Sequence, residues 1–128
     1  LETGQFRRLG STEDETSDIR VIAATNRDLL QEVRAGRFRE DLFYRLDVVR
    51  IELPPLRERM EDVPSIAEHM LRHSQVTMRQ RKHIGPRALD ALMAYDWPGN
   101  IRELSNVLER AVILSGDSQE ILVEHLAK

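Results

Sequence analysis

The chain has 128 residues, a formal net charge of −3, and 41% hydrophobic against 32% charged residues, which suits one ordinary core or a small domain with part of another. No apolar run approaches the roughly 20 residues that span a bilayer, so no membrane span is expected, and the acidic balance excludes a uniformly basic nucleic-acid surface. Cysteine is absent, which removes disulfides and thiolate metal sites and suits a reducing cytoplasm.

In chain order, residues 5–9, a polar acidic stretch at 11–17 and then residues 18–24 read as a hairpin with a solvated tip. Its second arm carries Ile19, Val21, Ile22, Ala23 and Ala24, the near-continuous apolar run of a strand covered on both faces. Asp28 is placed to cap a short helix through Leu29, Leu30 and Val33, which Gly36 closes. A second short helix is expected through Phe38, Leu42 and Leu46, followed by a strand at 48–53 that Pro54-Pro55 stops. From Glu61 the period turns helical. Val63, Ile66, Ala67, Met70 and Leu71 form one stripe. After an Arg-rich linker at 74–85, Pro86 opens a helix with Leu89, Leu92 and Met93 turned inward. A long helix follows from Asn100 to about Ser115, with Asn100 and Glu103 as a capping-box-like pair, a stripe of Leu104, Val107, Leu108, Ala111 and Val112, and a stop at Gly116. A short helix from about Leu122 to Ala127 ends the chain. The division falls near Pro55, α/β before it and all-α after it.

All but two of the 19 basic residues are Arg, the exceptions being Lys82 and Lys128. Arginine suits planar contacts to phosphate and carboxylate, although coding bias produces the same skew. Thr25 and Asn26 stand at the carboxyl end of the apolar strand, where open α/β sheets place ligand-contacting groups. Local grammar alone favours a plainer reading, in which Asn26 and Asp28 make an Asx turn into the helix. Arg39 and Arg45 are separated by about 240° around a helix, so one helix face cannot aim both at one small anion. Asp41 precedes Arg45 by four residues, a favourable order for an ion pair. Phe43 takes the corresponding place after Arg39, which makes Arg39 the freer cation. His69 and His73 have metal-ligand spacing, yet no third ligand accompanies them, so no metal site is expected. Arg102 lies in the first turn of its helix, where partial positive charge disfavours a cation by about 0.3–1 kcal/mol. An anion must compensate, or a nearby acid such as Glu103. No Gly-x-x-x-x-Gly-Lys-[Ser/Thr] cradle and no acid-tipped apolar strand occur, so this chain by itself has no route to metal-assisted phosphoryl transfer of that kind.

Four blocks, VIAATNRDL (21–29), GRFREDLFYRL (36–46), LPPLRER (53–59) and WPGNIREL (97–104), occur in an order and spacing that resemble the second half of the AAA+ module of sigma-54-dependent transcriptional activators, the nitrogen-regulator type of bacterial enhancer-binding protein. The resemblance covers essentially the whole chain. It implies an incomplete α/β core portion at residues 1–56, with two strands and a pre-sensor hairpin, followed by an all-α lid at 57–128. Asn26 with Thr25 would be sensor I, Arg39 and Arg45 arginine fingers acting on ATP of a neighbouring subunit in a ring, and Arg102 sensor II. Asn100 and Leu56 would adjoin the same nucleotide. ATP and Mg²⁺ are implied for the intact module, and neither is expected to bind tightly to this portion, which is expected to hydrolyse nothing alone. The implied partners are sigma-54 RNA polymerase holoenzyme, further copies of the subunit, and DNA through a domain not present here, in a cytoplasmic, two-component setting. The phosphate loop, the Mg²⁺-binding strand end and the sigma-contacting loop do not occur, and the start at Leu1 suggests a piece of a longer protein. In the family's sheet the phosphate-loop strand lies between the two strands present here, so residues 1–56 are not expected to build a complete sheet. Two other readings are a helix-turn-helix DNA-binding or regulatory module formed by residues 89–95 and 100–115, and another AAA+ branch.

Overall fold

A computed structural model describes residues 5–7, 9–10, 12–16, 18–73 and 82–126. Most of the linker read at 74–85 lies outside them, as does Ala127, the last residue expected in the final helix. The chain divides into two compact units, Leu1–Glu52 and Leu53–Lys128, and it is mixed α/β.

The first unit opens on a hairpin. Strand β1 (Gln5–Arg7) pairs antiparallel with β2 (Asp14–Thr16), with Gln5 opposite Thr16 and Arg7 opposite Asp14. An Arg7–Asp14 ion pair of 2.7 Å joins the two strands, an opposite-charge pair across an antiparallel ladder. The acidic stretch expected at the tip therefore supplies the second strand, and the apolar run at 18–24 is not an arm of the hairpin. That run is unpaired, with Ile19 65% and Ile22 86% exposed, and residues 48–53 are likewise unpaired, with Val48 and Val49 78% exposed. Both segments have the composition of doubly covered strands. Such strands form only when neighbours supply the ladder and the cover, and the described residues supply neither.

Helix α1 (Leu29–Arg34) starts where expected, because Asp28 Oδ1 accepts the N–H groups of Leu30 and Gln31 at 3.0 and 3.2 Å. It ends in a Schellman arrangement: Gly36 at φ 70 donates to Val33 O, and Arg37 N–H donates to Glu32 O, both at 2.9 Å. The left-handed conformation suits glycine, which has no Cβ to clash. Helix α2 (Glu40–Leu46) buries Phe43.

In the second unit, 3-10 turns at Leu56–Glu58 and Met60–Asp62 lead into α3 (Val63–His73), which buries Val63, Ala67 and Leu71 along the expected stripe. Strand β3 (His83–Ile84) pairs in parallel with β4 (Glu120–Ile121), so this unit is not purely helical. Two-residue strands are too short to register as a periodicity. Helix α4 (Pro86–Met93) buries Ala88 and Leu92 but leaves Met93 exposed, contrary to the inward placement expected for it. Helix α5 (Asn100–Leu114) buries Leu104, Leu108, Ala111 and Val112, and Gly116 follows its C-terminus. A 3-10 turn at Val123–Leu126 ends the described chain. Leu56, Val63, Ala67, Leu92, Trp97, Leu104 and Leu108 form one buried cluster, and Leu71, Ala111, Val112 and Ile121 a second.

Candidate functional site

Several hydrogen bonds fasten the approach to α5 in the second unit. Trp97 is 2% exposed and its indole Nε1–H donates to Leu92 O at 2.8 Å, with the ring edge-on to Tyr95. Pro98 and Gly99 occupy the centre of a turn closed by Asn100 N–H donating to Trp97 O at 2.8 Å, a good use of proline's fixed φ. Trp97 and Asn100 both adopt left-handed φ, 51° and 52°. Asn tolerates that region, whereas a bulky aromatic seldom enters it, so packing and the indole hydrogen bond hold Trp97 there.

The expected Asn100–Glu103 capping box is half formed. Glu103 Oε2 accepts Gly99 N–H at 2.8 Å, but Asn100 does not cap α5. Its Oδ1 accepts the N–H of Leu56, 44 residues earlier, at 2.7 Å. The left-handed backbone turns the carboxamide away from the helix's own first N–H groups. Tyr95 O–H donates to Glu103 Oε1 at 3.1 Å, so both carboxylate oxygens are engaged. A Cβ at Gly99 would lie 2.7 Å from Glu103 Cβ, which reserves that position for glycine.

Arg102 projects from this first turn, exposed, with no hydrogen bond or ion pair among the described residues. The acid beside it, the simplest compensation for a cation at a positive helix end, is already committed. Leu56 is fully buried and offers a nucleotide no side-chain surface in this structure. Arg59, which sequence reasoning passed over, is half-buried with its Nε enclosed and unpartnered among the described residues.

In the first unit, Thr25 Oγ1 accepts Arg27 N–H at 3.1 Å. Together with the Asp28 cap this makes the local turn and leaves the Asn26 carboxamide exposed and unpartnered among the described residues. The arginines differ from expectation. Arg39 is gripped by Asp41, Nε to Oδ1 at 3.0 Å and Nη2 to Oδ2 at 2.6 Å, so it is not the freer cation. It occupies the cap position with extended backbone, φ −72 and ψ 131, from which its side chain folds over the first turn. The i, i+4 spacing governs only partners that both lie on the helix. The Arg39 guanidinium, and more weakly the charge of Arg45, holds the Asp41 carboxyl below the usual carboxylate range. Arg37 does the same for Glu32, with a smaller share from Arg27, and Arg50 for Asp47.

His69 and His73 stack with ring centroids 4.1 Å apart, and His73 Nδ1 is 2.8 Å from His69 O. Among the described residues no three His, Cys, Asp or Glu side chains gather as a metal site. No described helix is long and apolar enough to cross a membrane.

Two families divide the chain between them: the sigma-54 interaction domain matches residues 1–52 and the AAA+ ATPase lid domain matches residues 57–128. Among curated relatives, the transcriptional regulatory protein ZraR of Salmonella typhimurium is 52% identical over 115 residues, 89% of this chain and 26% of that protein. Among solved structures, NtrX from Brucella abortus in complex with ADP is similar with a TM-score of 0.80 at 38% identity, over 98% of this chain and 30% of that one. NtrX in complex with ATP gives 0.76 over the same shares. The chain belongs to the family of sigma-54-dependent AAA+ transcriptional activators. It spans about a quarter of the length of the curated relatives it matches.

Proposed function

We propose that this chain is the sensing portion of an ATP-driven activator that remodels sigma-54 RNA polymerase so that promoter DNA opens. Arg102 acts as sensor II on an ATP phosphate, Asn26 with Thr25 as sensor I, and Arg39 and Arg45 as fingers toward ATP of an adjacent subunit in a ring. The boundary between core portion and lid lies near residue 56, and the segments at 18–24 and 48–53 become strands when the rest of the sheet is present. DNA contact belongs to another domain, and the working compartment is the cytoplasm.

One observation carries this reading. Arg102 stands exposed at the positive end of α5 with no hydrogen bond or ion pair among the described residues, while both oxygens of Glu103 beside it accept hydrogen bonds from other groups. A phosphate there supplies the missing negative charge, and guanidinium suits phosphate geometry. Arg39 is compatible with its role, because its ion pair with Asp41 is exposed on both sides and such pairs are readily exchanged for another anion. When bound, ATP supplies the phosphoryl group to be transferred, and Mg²⁺ neutralises its charge. The described residues offer the ion no cluster of ligands, so the contribution of this chain is orientation and charge. Arg39 and Arg45 stabilise charge on the transferred group, Arg102 orients the phosphates, and Asn26 orients water.

The test compares Arg102→Ala with Arg102→Lys in the intact protein. Loss of ATP turnover in the first, not restored by the second, is expected, because lysine lacks the planar fork. Unchanged turnover in Arg102→Ala overturns the sensor assignment. ATP hydrolysis by the isolated 128 residues contradicts the division of labour.

A further inference from the structure

We propose that Asn100 is a positioning residue: its carboxamide latches the segment at 53–59, which enters the second unit, to the first turn of α5, and so fixes the direction in which Arg102 points. The proposal rests on the reading of Arg102 as a nucleotide contact, and its tests separate the two.

Leu56 has the first backbone N–H after Pro54-Pro55, and its side chain is completely buried. An N–H at the start of a helical turn has no partner within that turn, and leaving it unmet beside a core is costly. The Asn100 Oδ1 meets it at 2.7 Å. Two demands converge on position 100. The backbone stands at φ 52, which Asn and Asp tolerate best among residues with side chains, and an acceptor must sit one carbon beyond Cβ. Glycine meets the first demand only, alanine meets neither, and aspartate meets both. An ordinary capping asparagine would turn its oxygen toward the helix's own N–H groups; this one reaches across 44 residues.

Arg102 lies two residues further on, in the same helical turn. The same turn is also fastened to the preceding segment by Glu103, through Gly99 N–H and Tyr95 O–H. The first turn of α5 therefore cannot rotate against residues 53–59 without breaking the Asn100–Leu56 hydrogen bond. The loss of Asn100 removes that bond and leaves the helix folded on its buried stripe.

The experiment compares Asn100→Gly, Asn100→Asp and Arg102→Ala. In the chain itself, Asn100→Gly accelerates hydrogen exchange at the Leu56 amide by about tenfold or more, and Asn100→Asp returns it toward the parent rate. The chain has no cysteine, so spin labels at Glu58→Cys and Arg110→Cys report directly on the joint and α5. Their distance distribution broadens in Asn100→Gly and narrows again in Asn100→Asp. In the intact protein, Asn100→Gly changes KM and kcat for ATP in the same proportion as Arg102→Ala, and the double variant is no worse than Arg102→Ala alone. Additive losses, or a freed Leu56 amide with unchanged turnover, overturn the coupling. If Arg102→Ala leaves turnover intact, the nucleotide reading fails by itself. The latch then stands or falls on the exchange and distance readouts, and failure of Asn100→Asp to restore them overturns it. Should Asn100→Gly not fold, Asn100→Ser, whose hydroxyl has a different reach, replaces it in every readout.

Discussion

Arg102 and Glu103 are neighbours in the first turn of α5 with opposite surroundings. Both oxygens of Glu103 accept hydrogen bonds, whereas Arg102 meets no partner among the described residues. The charge of Arg102 therefore opposes the helix dipole without an ion pair among the described residues. Replacing it by alanine is expected to leave the thermal midpoint of the 128 residues unchanged or slightly higher, read by circular dichroism, while turnover of the intact protein collapses. A clear fall in the midpoint means that Arg102 has a stabilising partner and is not held in reserve. At this scale the sequence was legible where chemistry is local. Asp28 as a cap and Gly36 as a left-handed terminator follow from the residue types alone. That Arg39 also grips Asp41 did not follow, because it reaches the carboxylate from extended backbone just outside the helix.

Among the elements, α1, α2 and the residue that caps the C-terminus of α2 carry three carboxyls held below their ordinary range: Glu32 by Arg37, Asp41 by Arg39 and Asp47 by Arg50. A depressed folded-state pKa adds stability above the unfolded value, and that stability disappears as pH falls through the folded value. These ion pairs are thus intact at neutral pH and are lost as the solution is acidified below about pH 4. Carboxyl-carbon NMR titration is expected to show all three midpoints below those of an unfolded reference peptide. Midpoints at the reference value would mean that the pairs do not persist in solution. In the second unit the decisive element is α5, whose Leu104 is completely buried in the main cluster. Leu104→Ala is expected to lower stability by about 2–5 kcal/mol through lost burial and the cavity left behind, measured by urea denaturation. A loss under about 1 kcal/mol points to a site that collapses around the deletion. The stripes of α3 and α5 were readable because helical periodicity reports burial directly. Met93 was misplaced because α4 is only eight residues long, and so short a helix leaves the edge of its buried face to its neighbours.

On the scale of the whole chain, the two units differ in what they can bury. Residues 53–128 enclose two clusters of apolar side chains, whereas the first unit buries Phe43 and leaves its apolar segments at 18–24 and 48–52 exposed. Expressed separately, residues 53–128 are expected to unfold in one cooperative, heat-absorbing transition and residues 1–52 to show none, as calorimetry would record. A cooperative transition in residues 1–52 would mean that the apolar segments at 18–24 and 48–53 find cover within the unit itself.

Local grammar in the sequence determined the five α-helices among the described residues, the Asp28 cap, the Gly36 terminator and the order of the four family blocks, because propensity, capping and periodicity act over a few residues. Tertiary structure alone decided three further features. The acidic stretch became a hairpin strand, through a cross-strand pair with Arg7. The apolar runs at 18–24 and 48–53 stayed unpaired, since a strand exists only when a neighbour completes its ladder. The carboxamide of Asn100 went to Leu56 rather than to its own helix, a choice made by a left-handed backbone and a contact 44 residues away that no local pattern encodes.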